Sequence, residues 1–66
     1  MKIVVNGAPR EVADGATVAS VVAEVSPTVS GVAVALNEEV VRRVLWDETR
    51  LREADRIEVL TAVQGG

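Results

Sequence analysis

A chain of 66 residues with a formal net charge of −3 and a pI near 4.7 makes one small acidic domain. It contains no cysteine and no histidine, which excludes disulfides, thiol nucleophiles, the usual zinc sites and imidazole acid–base chemistry. Phosphate contacts need a basic face, so the acidic balance also argues against nucleic acid as a partner.

The core must be aliphatic: there are fifteen valines and nine alanines, no Phe or Tyr, and Trp46 is the only aromatic residue. No apolar run approaches the roughly 20 residues that span a bilayer. Asn6, Gly7, Pro9 and Arg10 interrupt any signal-peptide apolar region. A soluble cytoplasmic protein is expected, with no membrane partner.

Residues 2–6 (KIVVN) form a β-branched run that ends in Asn6-Gly7, a dipeptide that tolerates positive φ at both central turn positions. The pattern predicts a hairpin whose second strand covers residues 9–13 and stops at Asp14-Gly15. From Thr17 the period changes. Val18, Val21, Val22 and Val25 fall at i, i+3, i+4 and i+7, one stripe of a helix. Thr17 is the expected N-cap, and Pro27 turns Ser26 away from helical geometry, so the helix runs about nine residues. Valine is a mediocre helix former, and the helix must owe its stability to packing against a sheet.

Residues 32–36 (VAVAL) read as a buried strand, Asn37-Glu38 as a turn, and residues 39–41 as a short partner strand. Residues 42–55 carry four of the seven basic and four of the ten acidic side chains, with Val44, Leu45, Trp46 and Leu51 as expected anchors. Mixed charge of this kind predicts a solvated, salt-bridged face rather than a phosphate clamp, and Trp46 a lid on a small core. Residues 57–63 (IEVLTAV) are the last strand. Its alternation sets Ile57, Val59 and Thr61 on one face and Glu58, Leu60 and Ala62 on the other. The expected core joins Val18, Val21, Val22 and Val25 to Ile3, Val5, Val34, Leu36, Ile57 and Val59. Leu60 and Ala62, with Val4 expected beside them, form an apolar patch of the kind that docks a partner.

After this strand come Val63, Gln64, Gly65 and Gly66. Two residues without side chains can thread a channel that any Cβ would block, and the four together reach about 13 Å. A terminal glycine carboxylate has a pKa of roughly 3.3 to 3.7, is ionised at neutral pH, and must be activated before it accepts a nucleophile. Phosphate-binding glycine loops and nucleophile elbows do not occur, and Ser20, Ser26 and Ser30 have no base. An enzyme is not expected, and no metal or cofactor site is read.

The order hairpin, helix, hairpin, charged excursion, final strand and Gly-Gly resembles the ubiquitin-like β-grasp, an α+β fold in which a mixed sheet packs on one helix. The opening KIVVNG, the helix entry DGATV, the segment VALNEEVVRR before Trp46, and the close DRIEVLTAVQGG are similar to the ThiS family of thiamin-biosynthesis sulfur carriers. The resemblance implies one carrier domain over residues 1–66, with residues 63–66 a flexible reactive tail, monomeric when free and without a cofactor of its own. It implies that a ThiF-like enzyme adenylates Gly66 and that sulfur relay makes the thiocarboxylate. A ThiG-like thiazole synthase then consumes the sulfur. Gly65 supplies slimness for threading, Leu60, Ala62 and Val63 carry over as a partner-binding face, which the patch reading extends to Val4, and Gln64 receives no role. The small subunit of molybdopterin synthase, and a ubiquitin-like protein modifier or interaction domain, share the fold and remain alternatives.

Overall fold

The computed structural model describes residues 1–26 and 31–61. Strands β1 (Lys2–Val5) and β2 (Ala8–Glu11) are followed by helix α1 (Val18–Val25), strands β3 (Val32–Leu36) and β4 (Glu39–Val41), a 3-10 turn at Arg43–Leu45, and β5 (Arg56–Thr61). The five strands form one mixed sheet in the order β2-β1-β5-β3-β4. Only β1 and β5 run parallel; the other pairs are antiparallel. This is the β-grasp arrangement, and it puts the strand that leads into the C-terminal residues at the centre of the sheet.

Strands β1, β3 and β5 contribute residues of one parity to a single buried face. Ile3 and Val5 of β1, Val34 of β3, and Ile57 and Val59 of β5 meet Val18, Val21 and Val22 of the helix. Val25 and Leu36, expected in this set, stand half-buried at its margin. Val12, Trp46 and Leu51 complete the core from outside the regular elements. Strand β2 ends two residues earlier than the sequence pattern implies, and Val12, whose N–H donates to the Met1 carbonyl (2.8 Å), turns inward instead.

The helix needs help at its start, because its first N–H groups have no intrahelical acceptor. Thr17 and Ser20 form a reciprocal capping box: the Ser20 N–H donates to Thr17 Oγ1 (3.2 Å) and the Thr17 N–H to Ser20 Oγ (3.0 Å). A cap of this kind contributes about 1 kcal/mol. The two remaining donors go outside the helix. Val18 donates to the Thr49 carbonyl (2.9 Å) and Ala19 to the Trp46 carbonyl (3.1 Å), while Leu51 donates back to Ala16 (2.8 Å).

The charged excursion therefore seals the helix N-terminus, a role its composition does not announce. Two expectations for it are corrected. Val44 and Leu45 do not anchor it: they are 72% and 44% exposed, because the 3-10 turn aims them outward, and Trp46 and Leu51 alone are buried. The segment is solvated but not internally salt-bridged. Among the described residues the side-chain ion pairs join Arg10 to Glu24 (3.3 Å) and Arg56 to Glu38 (3.6 Å), and neither lies within it.

Two asparagines in left-handed turns pin the central strand. Asn6 (φ 51°) and Gly7 (φ 83°) close the first hairpin, and Asn37 (φ 50°) and Glu38 (φ 74°) the second. Asparagine tolerates this region better than most residues because its short amide bonds locally. Asn37 Oδ1 accepts from the Arg56 N–H (3.0 Å) and its Nδ2 donates to Asp55 Oδ1 (3.0 Å), fastening the start of β5. Asn6 fastens the same strand farther along, at Val59.

Candidate functional site

The helix covers one face of the sheet, and the residues of opposite parity line the other. On β5 these are Arg56, Glu58 and Leu60; on β3 Ala33 and Ala35; on β4 Val40; on β1 Val4. The register sets Leu60 beside Ala33, and Ala35 between Glu58 and Val40. Leu60 is 62% exposed and Val40 80%, Ala33 is exposed and Ala35 half-buried. Two alanines and two larger aliphatic side chains thus share one stretch of the open face, with the acid Glu58 beside Ala35.

Leu60 thus stands where the period-2 rule puts it, on the open face near the C-terminal end of β5. Val4 shares that face but not that neighbourhood. Its partner on β5 is Arg56, four residues before Leu60, about 13 Å along the strand. Around Val4 lie Gly7, Glu38, Arg56 and Glu58, a charged setting rather than an apolar one. The reason is the parallel register of β1 and β5, which the sequence pattern does not fix. Conversely, Ala33, Ala35 and Val40 join the patch without having been singled out. Their signal was available, since VAVAL alternates large and small side chains and antiparallel pairing with β5 aligns the small ones with Leu60. Ala62, Val63, Gly65 and Gly66 lie outside the described residues.

Among the described residues no cluster of carboxylates and other ligating side chains could hold a metal ion. None of their helices is long and apolar enough to cross a membrane. The Met1 ammonium donates to the Val12 carbonyl (2.8 Å). Desolvation works against its charge, but Asp14 and Glu11 oxygens, each 3.4 Å away, outweigh it and raise its pKa above the usual 8.0. That amine braces the β2 edge, remote from the β3-β5 patch.

The comparisons with known proteins agree with this architecture. The model of the ThiS family matches residues 3–66. The sulfur carrier protein ThiS of Thermus thermophilus is 39% identical over 61 residues, which cover 92% of this chain and 94% of that protein. The crystal structure of a thiamine biosynthesis protein (ThiS) from Geobacter metallireducens is similar with a TM-score of 0.82 at 33% identity, covering 100% of both chains. A solution structure of a thiamine biosynthesis protein from the same organism gives 0.83 at 32% identity, covering 100% of this chain and 88% of the other. The family match runs from Ile3 through Gly66 and the fold agrees along the chain, so the chain belongs to the ThiS family.

Proposed function

We propose that this chain, by family a sulfur carrier of thiamin biosynthesis and not an enzyme, carries its sulfur as a thiocarboxylate on Gly66. The supporting observation is that the family match extends through the last residue, so Gly65 and Gly66 belong to the shared sequence rather than lying beyond it. In this reading a ThiF-like enzyme binds the chain in the cytoplasm, where the free carrier is a monomer. A Gly66 carboxylate oxygen attacks the α-phosphorus of ATP and pyrophosphate leaves. A sulfide-level nucleophile then attacks the acyl carbon of the adenylate, AMP departs, and the thiocarboxylate remains. A ThiG-like thiazole synthase takes that sulfur for ring formation. The chain itself contributes a glycine pair slim enough for a confined site and a surface that holds the carrier while the tip reacts.

For that surface we assign Leu60 with Ala62 and Val63, flanked by Ala33, Ala35 and Val40; Val4, paired with Arg56, stands apart from it. Leu60→Glu is expected to leave thermal stability within about 0.5 kcal/mol of the parent, as exposed positions generally do. The same change should raise KM for the carrier in activation by about tenfold, the effect of losing roughly 1.4 kcal/mol of docking energy. An unchanged KM would remove the patch from the docking surface.

The function is tested by incubating the chain with a cognate activating enzyme, ATP, magnesium and sulfide, and weighing the intact product. One oxygen of the terminal residue should be replaced by one sulfur. That sulfur should be lost again only when thiazole synthase and its small substrates are added. Loss to molybdopterin synthase components instead, or transfer of the whole chain to a lysine of another protein, would replace this reading with another.

A further inference from the structure

The Asn6 side chain does something a turn residue need not do. The Asn6 N–H donates to the Ile57 carbonyl (3.0 Å), continuing the parallel ladder between β1 and β5. The next ladder bonds would need a carbonyl and an N–H from a longer β1. The left-handed turn at Asn6-Gly7 carries the chain away from β5, and Ala8 is already paired with Val5 in the hairpin. The Asn6 amide takes both places. Its Oδ1 accepts from the Val59 N–H (2.8 Å) and its Nδ2 donates to the Val59 carbonyl (3.2 Å). Both backbone groups of Val59 would otherwise face the gap left by the end of β1. Val59 is the last buried residue of β5 and directly precedes Leu60.

We propose that Asn6 is a positioning residue for sulfur loading: its amide fixes β5 at Val59 and thereby the place from which residues 62–66 present Gly66. This role rests on the thiocarboxylate reading above. A carboxamide on this short stem offers an acceptor and a donor on two separate atoms, one for each Val59 backbone group. Aspartate keeps the acceptor but turns a carboxylate oxygen toward the Val59 carbonyl.

Two variants retain the turn while changing the fastening, because glycine and aspartate both tolerate positive φ. Asn6→Gly removes both bonds, and Asn6→Asp removes the donor. Each is compared with the parent at a temperature where thermal unfolding shows all three fully folded. Hydrogen exchange at the Val59 amide should quicken in Asn6→Gly by about tenfold or more, reporting local opening. With the activating enzyme, ATP and sulfide, both variants should lose about tenfold in kcat at saturating carrier with KM unchanged, as expected when docking persists and the reacting end is misplaced. Unaltered Val59 exchange in Asn6→Gly would overturn the fastening. Quicker exchange with an unchanged kcat would make Asn6 merely structural and overturn the positioning role. A raised KM with unchanged kcat would transfer Asn6 to the docking surface, also against the proposal. A parent chain that gains no sulfur would overturn the thiocarboxylate reading and this role with it, a failure visible before any variant is made.

Discussion

Val22→Asp is expected to lower the thermal midpoint by roughly 15 °C or more, given that each kcal/mol moves a domain of this size by about 4–8 °C. Val22 is fully buried, on a helix stripe with Val18 and Val21 and opposite the sheet residues Ile3 and Ile57. The only polar side chain buried among the described residues is Ser26, so no cation waits there to pair with an introduced carboxylate. An unpartnered buried charge costs about 3–5 kcal/mol. A 66-residue domain has only roughly 3–10 kcal/mol to lose.

The carboxyl can escape part of this by staying protonated, since burial disfavours its charged form and raises its pKa. The folded variant then keeps its proton to a higher pH than the unfolded chain, where the value is about 3.9. The sign follows: destabilisation is smallest below that pH and grows as the pH rises through it. Circular dichroism melts of parent and variant across that range measure both effects. An unchanged midpoint at neutral pH would mean that Val22 does not face the core.

The elements with a strong period were legible in the sequence. The valine stripe from Val18 to Val25, the capping Thr17 and the alternation in β3 and β5 lie where the residue pattern sets them. Local chemistry sufficed because each signal is carried by residues within a few positions of one another. What escaped depends on partners distant in the chain. The Trp46 and Thr49 carbonyls accept helix donors some thirty residues before them, and a mixed-charge composition does not encode that wrapping. Val44 and Leu45 were indistinguishable from anchors because hydrophobicity says nothing about which way a 3-10 turn aims them. For the candidate site, alternation gave the face of Leu60 but not the register. A parallel pairing that opposes Val4 to Arg56 comes from tertiary assembly. The Asn6 to Val59 bonds span 53 positions, and the Asn-Gly dipeptide advertised only its turn.

Removal of Gly66 alone is expected to abolish sulfur loading, with at least a hundredfold loss in activation rate, the penalty that misplacement by about 1 Å already incurs. The truncated chain still ends in a glycine carboxylate, Gly65, so the functional group and its ionisation near pH 7 are unchanged. What changes is reach: the terminal carbonyl withdraws by roughly 3.5 Å. Reacting atoms must approach within about 3–3.5 Å, so that withdrawal is as large as the whole permitted separation. The comparison therefore isolates position from reactivity. Because the sheet face around Leu60 is untouched, the truncated chain should still dock and inhibit activation of the parent at concentrations near the parent's KM. Gly65→Ala keeps the reach but adds a Cβ where a slim segment is needed, and should reduce the rate without shifting the site of loading. Pyrophosphate release and intact mass, measured on all three chains with one activating enzyme, separate these effects. Adenylation of the truncated chain at the parental rate would mean that the enzyme recognises a glycine carboxylate wherever it falls, and the positional account of Gly66 would be lost.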